Sequence, residues 1–271
     1  MVATPIGNLE DITLRALRVL EEVDVVACED TRQTQKLLNH YGIRKRLVSY
    51  HVHNEMTRAP ELVIELEQGA RAALVSDAGT PVISDPGHRL VTLCLRHHIP
   101  VIPIPGPSAL VAALAASGMP SEEFLFVGFL PSRGGERRKA LGELLTHPRT
   151  LVLFEAPHRL EDALKDALEV LGARPAVIAR EVTKLHEEFL RGSLPELLEH
   201  VRRKPPKGEI TLLIGPAAHP QPASTEVPLP ERVEQIMQEQ KVDRKAALKQ
   251  AARERGLTKR EAYKLLLTER N

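Results

Sequence analysis

Ala73-Leu74-Val75-Ser76-Asp77-Ala78-Gly79-Thr80-Pro81 is the stretch on which the fold turns. Three apolar residues read as the end of a buried strand, small turn-forming residues follow at once, and a helical pattern occupies 86–98. The same arrangement recurs on both sides. Ala3-Thr4-Pro5-Ile6-Gly7-Asn8 opens the chain with a similar loop. Pro105-Gly106-Pro107-Ser108-Ala109 follows the apolar run 101–104 and leads into a helical pattern at 107–117. Residues 23–28 read as one more buried strand. Strands and helices in alternation imply an α/β domain with a mainly parallel sheet. Open sheets of that kind bind ligands beyond the carboxyl ends of their strands. Gly and Ala let a ligand approach the backbone, and Pro107 in a first helical turn would leave N–H groups from Ser108 onward facing a carboxylate. Any one such loop reads as an ordinary turn, whereas three in one sheet read as a ligand site.

A second set of strands is expected at 124–129, 150–156, 176–182 and 209–215. Leu160, Ala163, Leu164, Ala167, Leu168 and Leu171 have helical spacing, and Gly172 is a stop. Ser117-Gly118-Met119-Pro120 reads as a hinge, which places a cleft between two α/β domains, 1–117 and 118–216. Residues 217–230 form a Pro-rich linker. Residues 231–271 are a basic helical extension with eleven Lys/Arg against seven Asp/Glu, a net +4, on a chain whose overall charge is +1. There Asp243 is a candidate cap for a helix ending near Gly256. Thr258 and Glu261 form a capping box for a last helix through Tyr263 and Leu266, carrying Lys259, Arg260 and Lys264. The pair resembles a helix-turn-helix and reads either as an RNA contact or as a solvated tail.

Composition narrows the function classes. Apolar residues make up 42% of 271, which excludes wholesale disorder. The sequence lacks the roughly 20-residue apolar run that a membrane span needs, and its start does not resemble a signal peptide. Cys28 and Cys94 lie far apart and outside any Cys/His cluster, so neither structural zinc nor another metal is expected and a reducing cytoplasm fits. The sequence has no GxGxxG, GxxxxGK[ST], GxSxG or HExxH, which disfavours a nicotinamide enzyme, a P-loop NTPase, an α/β-hydrolase and a zinc protease.

Seven segments, in order, carry a family resemblance: 2–11 (VATPIGNLED), 27–34 (ACEDTRQT), 75–86 (VSDAGTPVISDP), 103–109 (PIPGPSA), 126–131 (FVGFLP), 154–159 (FEAPHR) and 180–184 (REVTK). Together they resemble the ribosomal RNA small subunit methyltransferase I family, a branch of the tetrapyrrole methylase superfamily. The likeness runs from residue 2 to about 215, and the basic extension also resembles that family's. It implies two tetrapyrrole-methylase-like α/β domains with S-adenosyl-L-methionine in the cleft between them. It implies 2′-O-methylation of a cytidine in 16S ribosomal RNA near the decoding centre, within the small ribosomal subunit, by a cytoplasmic homodimer. The family's chains usually carry a few more residues before this stretch, so either the first strand is short or the start of the chain is misplaced.

By the resemblance, Thr80, Pro81 and Ile83 lie against the cofactor, with Asp77 and Gly79 shaping the turn. Gly106, Ser108 and Ala109 supply the helix-start contact and Ile6 the amino-terminal one, while Phe154 and Gly208-Glu209-Ile210 face it from the second domain. Transfer of an activated methyl group depends on alignment and on help for a poor nucleophile, the ribose hydroxyl. Candidates for that help are Asp30, His51, His53, Glu155, His158, Glu181 and Lys184. Arg32, Arg159, Arg180 and Lys184 could equally bind phosphate. The bland alternative is surface pairing among Glu29, Arg32, Arg180 and Glu181, with His51 and His53 as ordinary loop histidines. Two other functions share the cofactor loops: a tetrapyrrole C-methyltransferase, which would lack ACEDTR, HVHNE, FEAPHR and the basic tail, and a non-catalytic ribosome assembly factor.

Overall fold

All four residues of β1 (Val25–Cys28) are buried, as a central parallel strand covered on both faces requires. In the computed structural model, which describes residues 1–217, 228–240, 242–254, 257 and 262, β1 pairs in parallel with β2 (Arg46–Ser49) and β3 (Ala72–Val75). The order is β2-β1-β3. Cys28 stands opposite both Ser49 and Val75, so the three carboxyl ends are flush. The loops that begin at Glu29, Tyr50 and Ser76 therefore leave the sheet side by side.

Helices cover both faces. α1 (Leu14–Glu22) starts where the Thr13 hydroxyl accepts the Ala16 N–H at 3.1 Å, and α2 (Thr31–His40) where Asp30 accepts the Arg32 N–H at 2.8 Å. Their Ala16, Leu20 and Leu38 pack with Val26, Cys28 and Val75 on one side. α3 (Glu55–Glu67) and α4 (His88–Arg96) pack Leu62, Val63, Leu90 and Cys94 against Val25, Ala27 and Leu74 on the other. The run 101–104, expected as a strand, is extended but makes only the parallel bridge Val2 to Ile104, with hydrogen bonds from Met1 to Ile102 O, from Ile104 to Met1 O and from Ala3 to Ile104 O. Pro100, Pro103 and Pro105 offer no N–H to a longer ladder.

α5 (Ala109–Ser117) ends at Gly118, which is left-handed at φ 78°. Beyond it lie β4 (Phe124–Phe129), α6 (Gly134–Gly142), β5 (Thr150–Glu155), α7 (Leu160–Leu171), β6 (Pro175–Arg180), β7 (Glu188–Ser193), α8 (Leu194–Arg203) and β8 (Ile210–Ile214). The second sheet runs β4-β5-β8-β6-β7. This sheet differs from the first in its pairing. Only β4 and β5 are parallel, and the three other pairings are antiparallel. A short turn joins β6 to β7, and a connection without a crossover helix can only build a hairpin. α7 buries Leu160, Ala163, Leu164, Ala167 and Leu171 as its spacing predicts, against Leu151, Leu153, Ile178 and Leu212. The other face of the sheet, Val152, Val177 and Leu213, packs on Leu110, Ala113 and Leu114 of α5. α5 thus joins the two sheets within the unit Met1–Ala217.

The second compact unit is Ala218–Asn271. In it α9 (Leu229–Gln240) and α10 (Arg244–Glu254) share a core of Leu229, Val233, Ile236, Ala247, Leu248 and Ala251. Asp243 caps α10 as expected, accepting the Ala246 N–H at 2.7 Å. Most of the expected linker, Gly256, the Thr258/Glu261 capping box, Lys259, Arg260, Tyr263, Lys264 and Leu266 lie outside the described residues. Among the described residues no helix is long and apolar enough to cross a membrane.

Candidate active site

The loops at the flush strand ends are joined to one another through the backbone. Thr4 and Gly79 exchange two N–H···O bonds of 2.9 Å. The Thr80 hydroxyl donates to Pro107 O at 3.2 Å, which ties the second loop to the third. Gly79 is left-handed at φ 82°, and a Cβ there would stand 3.4 Å from Ile6 Cγ2. Ser108 caps α5 from its side chain, so Pro107 precedes the cap instead of occupying the first turn. The first loop also crosses to the second sheet: Asn8 N–H donates to Thr183 Oγ1 at 3.1 Å, and Gly7 packs so closely on the Lys184 stem that a Cβ has no room.

Past Pro81 the second loop is strained. Val82 (φ 77°) and Ser84 (φ 64°) are both left-handed, at a cost of order 1–3 kcal/mol each for residues with a side chain. Gly87 anchors the loop, since a Cβ there would stand 2.7 Å from Leu74 Cδ2 and 2.9 Å from Val82 Cγ2. Between Ser84 and Gly87, Asp85 is held half-buried.

These loops form one wall of a cavity of about 420 Å³. Ile6, Asp77, Gly79, Thr80, Ile83, Ser84, Asp85, Ser108 and Ala109 line it from the first sheet, and Phe129, Phe154, Glu155, Val182, Glu209 and Ile210 from the second. Phe154 meets Phe126 and Phe129 edge-on or tilted, with ring centroids 5.1 and 5.7 Å away.

The charges differ sharply in condition. Glu155 is 3% exposed; its Oε1 accepts the Ala156 N–H at 2.9 Å and lies 3.3 Å from Arg159 Nε, while its Oε2 is buried without a partner. Burial pushes Asp85 up to about 6; the Ser76 hydroxyl bonded to it pulls the other way, and the charges of Glu29 and Asp77 add to the rise. Burial and Asp77 also raise Glu29, against His51. Asp30 is held down at about 2 by the side chain and backbone of Arg32. Burial would raise Glu181, but the Glu209 N–H at 2.8 Å and Lys184 Nζ at 3.0 Å outweigh it and leave the carboxyl below its usual range. Burial would likewise lower Lys184, but Glu181 and Glu209 hold it above its usual value.

Of the residues expected around the cofactor, Ile6, Asp77, Gly79, Thr80, Ile83, Ser108, Ala109, Phe154, Glu209 and Ile210 come together in the cavity lining, with Glu155 from the chemical candidates. Pro81 is buried and does not line the cavity. Gly106 packs against Ala3, whose Cβ stands 3.0 Å from where its own would be. Asp30 and Arg32 pair with each other at the start of α2, and Asp30 N–H donates to Asp77 Oδ1 at 2.9 Å. His53 and His158 are exposed and do not line the cavity. Arg180 pairs with Glu188 at 3.0 Å and donates to Lys207 O, and Arg159 stands behind Glu155. The salt bridges of these candidates include Asp30–Arg32, Arg180–Glu188 and Glu181–Lys184, and of the surface set considered on the sequence Arg180 also acts through its charge on Glu181. Sequence reasoning missed Asp85, Ser84, Phe129 and Val182. For Asp85 the available signal was a second carboxylate in the loop that begins at Ser76. Among the described residues no group of three or more His, Cys, Asp or Glu could hold a metal ion.

The residues fit the cofactor that the resemblance implies. The volume lies within the roughly 300–1,000 Å³ of small-molecule sites. The walls are apolar at Ile6, Ile83, Phe129, Phe154, Val182 and Ile210, as an adenine ring wants, and the capped start of α5 offers N–H groups suited to a carboxylate. The acidic residues of the lining, Asp77, Asp85, Glu155 and Glu209, suit a ligand that carries positive charge.

Known proteins resemble this chain in sequence and in fold. A family model described as Tetrapyrrole (Corrin/Porphyrin) Methylases matches residues 1–198. The chain is 48% identical over 275 residues to a protein of Halalkalibacterium halodurans named "Ribosomal RNA small subunit methyltransferase I", covering 98% of this chain and 93% of that one. A protein of the same name from Thermotoga maritima is 52% identical over 214 residues, covering 79% and 96%. Among solved structures, a uroporphyrin-III-C-methyltransferase from Thermus thermophilus superposes with a TM-score of 0.56 at 24% identity, over 79% of this chain and 92% of that one, which speaks for the fold alone.

Proposed function

We propose that this chain, which belongs to the tetrapyrrole (corrin/porphyrin) methylase family and within it to the ribosomal RNA small subunit methyltransferase I branch, 2′-O-methylates a cytidine of 16S ribosomal RNA near the decoding centre. S-adenosylmethionine is the methyl donor and supplies an already activated methyl group. The observation that carries the reading is the coincidence of the cavity lining with the segments that likeness rests on, 75–86, 103–109 and 154–159. The first-sheet loops hold the cofactor through shape: Gly79 and Ala109 leave room, Thr80 and Ser108 fix the backbone, and Ile6 and Ile83 exclude water. Phe154 and Ile210 close the apolar side, and Glu155 stands in the lining beside them.

The substrate is the assembled small subunit, and the protein acts as a cytoplasmic homodimer. The two α/β halves meet near residue 118, and the basic extension adds phosphate contacts that weaken with salt. The test uses small subunits lacking the modification, tritiated cofactor, and mapping of the labelled nucleotide and of the labelled atom within it. Label on a cytidine ribose supports the reading. Label on a base, or on an added uroporphyrinogen in preference to the subunit, removes it. Analytical ultracentrifugation decides the dimer, and a chain ending at Ala217 decides the role of the extension: cofactor affinity should stay, because the cavity residues among the described ones lie between Ile6 and Thr211, while subunit affinity falls.

A further inference from the structure

We propose that a groove between α8 and the β6–β7 edge of the second sheet holds a nucleotide of the substrate strand flanking the methylated cytidine, with Lys204 and Lys207 on its phosphate. The proposal deepens the function given above and rests on it. The groove has a volume of about 210 Å³. That is less than the roughly 300–1,000 Å³ of a site that encloses a whole small molecule, and it suits one nucleotide of a strand whose remainder lies outside. The floor is apolar, made by Ile178 of β6, Leu190 of β7 and Val201 of α8, with Pro205 and Pro206 beside it. A splayed-out base or its ribose rests on such a floor while the phosphate turns outward.

The first support is placement. The groove opens at the same end of the second sheet as the cofactor cavity. Ile178 and Ala179 are neighbours in β6 and point to opposite faces, Ile178 into the groove and Ala179 into the cavity. Lys207 and Gly208 divide in the same way. Gly208 is left-handed at φ 91°, and a Cβ there would overlap the Glu181 carboxyl, so the chain passes from groove to cavity within one residue. An RNA strand that crosses this turn meets both.

The second support is charge. Pro205 and Pro206 fix their own φ, and Lys204 before them is extended at φ −137°. Arg180 Nη1 donates to Lys207 O at 3.2 Å, while its Nε pairs with Glu188 at 3.0 Å. The two lysines are therefore carried on a stiff, anchored segment. Among the described residues Glu188 is the only carboxylate that lines the groove, and Arg180 already neutralises it. Other cations at this end of the sheet are spent in the same manner, Arg159 on Glu155 and Lys184 on Glu181 and Glu209. Lys204 and Lys207 are exposed, and among the described residues neither has a carboxylate partner. Their charge is left for an anion from outside, and phosphate is the anion that an RNA strand brings.

The test measures filter binding of unmodified small subunits over a range of salt. It uses the full chain, the double variant Lys204→Gln with Lys207→Gln, and the double variant Lys204→Arg with Lys207→Arg. Loss of two phosphate contacts should weaken binding roughly tenfold at ~0.1 M salt and reduce the slope of its salt dependence by about 1 per lysine. The arginine pair keeps both charges and should bind within about threefold of wild type. Calorimetry should find cofactor affinity unchanged in both. A glutamine pair that binds subunits as wild type does, with the same slope, overturns the proposal. So does one that loses cofactor affinity in step with subunit affinity, because the cavity itself is then disturbed. Location is read separately from Lys207→Cys carrying a thiol-linked photo-crosslinker, since Cys28 and Cys94 are buried. Attachment to nucleotides flanking the tritium-labelled cytidine supports the proposal. Attachment to a ribosomal protein, to a second copy of this chain or to RNA remote from that cytidine overturns it. Wild-type protein that labels no cytidine ribose overturns the function itself, and the salt dependence and the crosslink, which need no methyl transfer, tell that failure apart.

Discussion

On the first-sheet side of the cavity the loops are held by backbone. Thr4 and Gly79 pair N–H to C=O, Thr80 reaches Pro107 O, and left-handed Gly79, Val82 and Ser84 set the course of the chain. On the second-sheet side the holding is done by charged side chains: Glu155 with Arg159, and Glu181 with Lys184 and Glu209. The two constructions fail differently. A backbone-built wall tolerates many side-chain changes but not a Cβ where φ is positive. A charge-built wall tolerates neither the loss of one partner nor, at its edges, a change of pH.

The largest effect belongs to the charged wall at its most buried point. Arg159→Ala leaves the Glu155 carboxylate buried with one backbone N–H, and a broken buried pair costs about 3–5 kcal/mol. Urea unfolding should show the lower part of that range, because the Arg159 side chain is 23% exposed. A loss under about 1 kcal/mol would mean that Arg159 does not stabilise Glu155 and that the contrast is overdrawn.

Next comes the backbone wall. Gly79→Val places a β-branched side chain at φ 82° facing Ile6, and should cost about 2–3 kcal/mol of cofactor affinity in a folded protein. Gly106→Val presses on Ala3 instead, outside the cavity lining, so calorimetry should show a smaller loss of affinity and thermal melting a larger loss of stability. Equal effects on cofactor binding would erase that distinction.

Lys184→Ala is smaller, about 1 kcal/mol, because Lys184 is partly exposed and its ion pairs are screened. It carries a pH signature. Glu181 sits below its usual 4.5 in the folded chain, so its contribution is present above that value and is lost as pH falls through the folded one. Lys184 sits above its usual 10.5, so its contribution is present below that value and is lost as pH rises through the folded one. Acid unfolding of Lys184→Ala should therefore depend less steeply on pH below about 4.5 than that of the wild type. The smallest effect is Arg32→Ala, which should leave stability almost unchanged while NMR shows Asp30 rising from about 2 toward its ordinary range.

The sequence was most legible where apolar spacing alone decides structure. α7 follows its pattern from Leu160 to Leu171, and β4 lies where the aromatic run at 124–129 placed it. β2 and β7 escaped notice because Arg46, Glu188, Arg191 and Gly192 interrupt any apolar run, as edge strands with one exposed side permit. The direction of pairing in the second sheet was out of reach for a related reason: apolar spacing marks β8 as a strand but is silent on its insertion between β5 and β6. In the cavity, the small residues of the three loops announced themselves. Asp85 did not, because what distinguishes it is its burial beside Ser76, Glu29 and Asp77 and the handedness of Val82 and Ser84, neither of which is a property of residue type.

The bond from Asn8 N–H to Thr183 Oγ1 spans 175 residues of chain and links a loop of the first sheet to a loop of the second. Any motion that widens the cavity by parting these loops must break it, and the Asn8 amide then meets solvent. Its deuterium uptake is therefore a clock for opening. With Gly7 pressed on the Lys184 stem, the Gly7–Asn8 peptide should exchange slowly in a closed cavity, and more slowly still with cofactor present if the cofactor occupies that cavity as proposed. Lys184→Ala, which empties the space beside Gly7, should let that clock run faster while the amides of β1 and β3 keep their protection.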